Sequence, residues 1–185
     1  MKTQPSALLV MDFQDEIVAG IADATLVPRV AEVLAAARSA GMLVVFVVVG
    51  FRPGYPEVGA SNKSFSAAKA SGRFVNPTVI DALKPLQEEA VVTKRRVSAF
   101  GTTDLATILK AHGVNHIVLA GISTSGVILS TTGMAADMDY EITILSDCCA
   151  DNDAEVHRVL MEKILLRRAS VITSQEFLSG LVSAG

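Results

Sequence analysis

Six short runs of consecutive apolar residues punctuate the chain, at residues 7–11, 43–49, 90–92, 116–120, 141–145 and 170–172, the last being the weakest. Between them lie segments whose apolar positions recur every three to four residues, at 27–40, 103–112, 127–138, 154–167 and 175–182. Continuous apolar runs suit strands covered on both faces, and their alternation with helical segments predicts βαβ units around a parallel sheet. The expected fold class is therefore a three-layer α/β/α domain with a six-stranded, mainly parallel, Rossmann-like sheet, formed by residues 1–185 as one unit.

The punctuation agrees with this division. Gly41 and Gly113 fit the position just past a helix end, where a left-handed backbone is favoured, and Asp151 or Asp153 can cap a helix beginning near Ala154. Asn76 before Pro77 reads as a further helix start, running to about Leu83. One long interruption, residues 50–75, is rich in Gly, Pro and Ser and too polar to pack as core, so it is expected to be a lid over the strand ends.

Composition narrows the function classes. The 185 residues are half hydrophobic and carry a net charge of −3, with no Lys/Arg stripe interleaved with aromatics, which argues against nucleic acid as a partner. The longest apolar run, 42–49, is far too short to span a bilayer, and the first residues lack the layout of a secretory signal, so no membrane partner and a cytoplasmic location are expected. The two cysteines, Cys148 and Cys149, are adjacent and give neither a long-range disulfide nor zinc spacing. Two reduced thiols at a strand end are the simpler reading.

The candidate chemistry sits at strand ends. Asp12 follows the first apolar run and Lys94 the third, placing an acid and a base at one mouth of the sheet, where open α/β sheets bind ligands. A carboxylate near an ammonium in a partly desolvated pocket can accept and return a proton, although an ion pair bracing two strands has the same residues. The fourth run leads through Gly121-Ile122-Ser123-Thr124-Ser125-Gly126 into the helix at Val127, a small-residue turn that can present backbone amides to an anion. It is neither a dinucleotide-binding glycine pattern nor a P-loop. The first strand ends in an acid rather than in the glycines a pyrophosphate needs, which sets aside a flavodoxin-like or dinucleotide-binding protein.

Taken together, LLVMDFQD around Asp12, VVTKRRVSAFGTTDL around Lys94, HIVLAGISTSGVILSTTGMAAD from His116 to Asp137 and the following DYEITILSDCCAD resemble the isochorismatase-like hydrolases, or cysteine hydrolases. The resemblance covers nearly the whole chain. It implies an Asp and a Lys, here Asp12 and Lys94, and a Cys nucleophile within a pattern like G-x-x-T-x-x-C, a position that falls on Val127. An isopropyl group cannot attack a carbonyl, and neither Cys148 nor Cys149 matches the position. Three outcomes follow: hydrolysis without covalent catalysis, as in family isochorismatases, where the Asp protonates a vinyl ether; a substituted hydroxyl from Ser123, Thr124 or Ser125; or a catalytically inactive small-molecule binder.

The resemblance also implies a cis peptide after Ile122, with amides of Ser123 and Val127 facing substrate, and assembly as a homodimer or homotetramer through surfaces such as Met134 and Met138. Ile122, Ser123, Gly126 and Phe13 are the expected substrate-binding residues beside the acid, with Arg52 and Tyr55 either reaching over from the lid toward an anionic or planar small-molecule substrate or packing within the lid itself. Nicotinamidase-type members hold a metal through an Asp and two His after the second strand. Residues 50–59 contain no histidine, and the scattered His112, His116 and His157 read as surface or capping residues, so no metal and no other cofactor is expected.

Overall fold

The computed structural model describes residues 5–184. In chain order its elements are β1 (Ser6–Met11), α1 (Asp15–Val18), α2 (Leu26–Ser39), β2 (Leu43–Val49), α3 (Lys63–Ser71), β3 (Ala90–Lys94), α4 (Leu105–Ala111), β4 (His116–Ile122), α5 (Leu129–Asp137), β5 (Glu141–Ala150), α6 (Ala154–Val159), β6 (Ser170–Ile172) and α7 (Ser174–Ala184). The six strands form one sheet in the order β3-β2-β1-β4-β5-β6, and every neighbouring pair is parallel. The sheet thus has the doubly wound order, with its topological switch between β1 and β4.

Side chains of alternate strand residues separate into two cores. Ala7, Leu9 and Met11 of β1 join Val45 and Val47 of β2 against Leu105 and Leu109 of α4 and Ala135 of α5. Leu8 and Val10 join Val44 and Phe46 against Val30, Val33, Leu34 and Ala37 of α2. Strands buried on both faces explain why the apolar runs are continuous rather than alternating.

Two expectations are corrected. The helix expected from Asn76 to Leu83 is a single 3-10 turn, Asp81–Leu83. The amide of Ile80 donates to the carbonyl of Phe13, which draws the preceding residues out along the end of β1. Residues 50–75, expected to be too polar to pack, form α3 and, with Val49 of β2, a third apolar cluster of Phe51, Tyr55, Val58, Phe65, Ala68 and Phe74. The Asn62 side chain caps α3 by accepting from the Phe65 amide at 3.2 Å, and Gly72 ends it at φ 72°.

The helices flanking β5 are also less regular than their periodicity suggests. The turn after β4 is a π-helical Thr124–Ile128 that runs into α5, and α6 continues through a π turn, Leu160–Ile164, and a 3-10 turn, Leu165–Arg167. β5 extends well past the expected 141–145, and its register against β4 shifts between Leu119 and Gly121. Among the described residues, no helix is long and apolar enough to cross a membrane.

Candidate active site

Asp12 and Lys94 reach one another across β2. Asp12 follows β1 directly, and Lys94 is the last residue of β3, in register with Val49 of β2. Lys94 Nζ lies 2.8 Å from Asp12 Oδ2, and both side chains are almost fully buried, at 3% and 6% exposure. Oδ1, equally buried, has no hydrogen-bond partner among the described residues. Burial pushes the Asp12 carboxyl above the usual carboxylate range, and the Lys94 ammonium opposes that rise without cancelling it.

Local backbone geometry fixes this pair. Asp12 adopts φ 61°, a left-handed conformation uncommon outside glycine, and its amide donates to the carbonyl of Val47 at 2.8 Å. Two residues on, the buried Gln14 side chain pairs with the main chain of Val49, donating to its carbonyl at 3.0 Å and accepting from its amide at 2.7 Å. A side-chain amide here continues the ladder after β1 has ended. Gly50 then donates to the carbonyl of Lys94, and a Cβ at Gly50 would stand 2.5 Å from Pro77 Cγ.

The pair lines a cavity of about 780 Å³, within the range of small-molecule sites. Its other walls come from β4 and the turn that follows, with Ile122, Ser123, Gly126 and Val127 all lining it. The Ile122–Ser123 peptide is cis. Ser123 Oγ accepts from the Gly126 amide at 3.1 Å, and a Cβ at Gly126 would lie 2.7 Å from that oxygen, so the tight turn requires glycine there. Val127 is 2% exposed and packs into the core while facing the cavity.

A second layer holds this wall in place. The Ser125 amide donates to Asp151 Oδ2 at 2.7 Å, and the fully buried Thr124 hydroxyl lies 2.7 Å from His157 Nδ1 on α6. Thr124 does not line the cavity, so its hydroxyl is spent on the imidazole. His157, expected at the surface or at a helix cap, is half-buried, and that burial lowers its pKa. His112 and His116 lie at the opposite end of the sheet, bonded to the Ile108 carbonyl and to Thr143. Among the described residues no three His, Cys, Asp or Glu side chains are grouped to hold a metal ion.

Three sequence-predicted residues stand elsewhere. Phe13 is 1% exposed and packs in the α2 core, because the left-handed turn at Asp12 sends the next side chain to the opposite face. Arg52 points away to Glu57, which accepts from its Nη1 at 2.7 Å and from Arg95 Nε at 2.9 Å. Tyr55 packs on Phe51, and its hydroxyl donates to the carbonyl of Arg73 at 2.6 Å. In their place Glu16, Ile17, Ser64, Phe65, Arg73 and Phe74 line the cavity. The caps at Asn62 and Gly72 were a readable signal for α3, and hence for Phe65 and Arg73, whereas α1, only four residues long, left none for Glu16.

Cys148 and Cys149 lie outside the cavity lining. Both thiols are free and buried, and burial pushes that of Cys148 up to about 12 and that of Cys149 higher still. Neither can supply a thiolate nucleophile at neutral pH.

Comparison with known proteins gives the family and the fold. The family model described as Isochorismatase domain matches residues 6–176. Maleamate amidohydrolase of Pseudomonas putida is 31% identical over 159 residues, covering 84% of this chain and 74% of that protein. A probable inactive nicotinamidase of Arabidopsis thaliana is 30% identical over 164 residues, covering 82% and 84%. The crystal structure of a cysteine hydrolase from Pseudomonas syringae superposes with a TM-score of 0.88 at 23% identity, over 98% of this chain and 94% of that one, which is a likeness of fold.

Proposed function

The chain belongs to the isochorismatase family, and on that footing we propose that it hydrolyses a small amide or vinyl ether by acid–base chemistry, with no covalent enzyme intermediate. The observation that carries this reading is the buried Asp12–Lys94 pair at the cavity, with Asp12 Oδ1 unpartnered. Oδ2 is held by the ammonium, so Oδ1 is the atom that exchanges a proton with substrate or water. A raised pKa increases the protonated fraction, which suits donation to a leaving nitrogen or to a vinyl carbon.

With Val127 at the position of a Cys nucleophile, water is the attacking species. For an amide, Asp12 takes a proton as water adds to the carbonyl and returns it to the departing amine. For a vinyl ether, Asp12 protonates carbon, water adds to the resulting oxocarbenium ion and gives its proton back to Asp12, and the hemiketal so formed breaks its C–O bond to release the alcohol and leave a carbonyl. Lys94 orients Asp12 and stabilises its ionised form. The turn from Ile122 to Val127, carrying Ser123 and Gly126, is the wall that receives the substrate oxygen.

The substitution at Val127 itself favours a second reading, a binder of the same small molecules without turnover. A hydrolysis screen over amides, carbamoyl compounds and vinyl ethers, run on wild type and Asp12→Asn, separates the two. Turnover that falls at least about a hundredfold in Asp12→Asn supports the enzyme. Ligand-induced stabilisation without turnover in either protein supports the binder.

The same reading includes a homodimer or homotetramer in the cytoplasm. Exposed Met134 and Met138 at 40% and 44% support the first, and two unpaired buried thiols support the second.

A further inference from the structure

We propose that Arg73 is the specificity-determining residue of the cavity, binding a carboxylate, so that the substrate is a small organic acid whose hydrolysable bond lies toward Asp12. This inference deepens the proposed function and rests on it for the word substrate, though not for binding.

Two cations line the cavity, Lys94 and Arg73. Lys94 is committed to Asp12 and almost fully buried, which leaves the guanidinium as the cation open to a ligand. Its side chain is 45% exposed. Nε lies 3.1 Å from Glu16 Oε2, and Nη2 donates to the Glu16 carbonyl at 2.8 Å, while Nη1 has no partner among the described residues. The guanidinium also stands 4.6 Å from the centre of the Phe74 ring.

The backbone beneath it is anchored at both ends. The Arg73 amide donates to the Ala68 carbonyl at 3.0 Å as α3 ends at left-handed Gly72, and the Arg73 carbonyl accepts from Tyr55. The main chain that carries the guanidinium is therefore fixed before a ligand arrives, which leaves only the side chain to be ordered on binding.

Glu16 is the counter-ion such a site needs when empty. Its side chain is as exposed as that of Arg73, and an ion pair of that exposure is weak because solvent screens it. A ligand carboxylate meeting the guanidinium with two parallel hydrogen bonds can displace it. Phe65, Phe74, Ile17 and Val127 add apolar wall to the same cavity, fitting a planar or apolar part of the ligand.

Calorimetric titration of matched acids and amides tests the assignment: maleamate with maleamide, nicotinate with nicotinamide, and benzoate with benzamide. Wild type is expected to bind at least one acid tenfold or more tightly than its amide. Arg73→Gln brings that ratio close to one with the affinity for the amide unchanged, and Glu16→Gln moves it the other way by raising affinity for the acid several-fold. The opposite signs guard against a general loss of folding in either variant. The assignment is overturned if no acid binds more tightly than its amide, or if the ratio survives Arg73→Gln. An acid preference found together with no turnover across the hydrolysis screen removes the hydrolase reading and leaves the carboxylate subsite standing. Turnover lost in Asp12→Asn with no acid preference does the reverse.

Discussion

Val127 is where one side chain decides between two chemistries. Its isopropyl group lines the cavity beside Asp12 and Lys94, so the surroundings of a nucleophile are present without the nucleophile. Val127→Cys exchanges one small buried side chain for another of similar size and is expected to cost less than about 1.5 kcal/mol. We expect the variant to gain amidase activity, measured as ammonia release from primary amides. No release from a folded variant would show that the wall formed by Ile122 to Gly126 is not arranged for acyl transfer. The native cysteines make the contrast. With the Cys148 thiol at about 12 and that of Cys149 above it, both should stay unlabelled by iodoacetamide at pH 8 in the folded protein and react on unfolding. Labelling of either in the native state would contradict their burial.

Among the elements, the turn between β4 and α5 carries one wall of the site and depends on α6 for its position. Thr124 and His157 join the two, and Asp151 holds the Ser125 amide between them. Burial lowers the His157 pKa from 6.5, so the unfolded chain binds more protons than the folded one just below that value. Stability conferred by this contact is therefore present above pH 6.5 and declines as pH falls through the unfolded-state value. Denaturant unfolding between pH 5 and 8 should show that decline in wild type and a shallower one in His157→Gln, the remainder belonging to the other buried titrating groups, among them His116, whose pKa burial also lowers. An identical slope in the two proteins would mean that His157 protonates as freely in the fold as outside it. None of this coupling was legible in sequence, because Thr124 and His157 are 33 positions apart and His157 lies in an ordinary helical pattern. The strands, by contrast, were legible as runs, since burial on both faces leaves no polar position to interrupt them. The segment 50–75 misled for the opposite reason. Its apolar residues are few, aromatic and dispersed among Gly, Pro and Ser, and they find one another only through α3.

At the scale of the whole molecule, the order β3-β2-β1-β4-β5-β6 produces the site. It sets β1 and β3 on either side of β2, so an acid ending one and a base ending the other meet over the intervening strand, and it places β4 against the far edge of β1 to close the cavity. The sequence carried the acid and the base because each ends an apolar run. The rim was less visible, since Arg73 reaches it just past the end of α3 and Glu16 from α1, and periodicity marked neither helix. The account turns on a buried Asp12 carboxyl that faces the cavity and keeps its proton to higher pH than an ordinary aspartate. Carbon-13 NMR titration of that carboxyl measures this directly. The expected midpoint lies above 3.8 and moves higher in Lys94→Met, where burial acts without the ammonium to oppose it. A midpoint at or below 3.8, unmoved by Lys94→Met, would contradict the account.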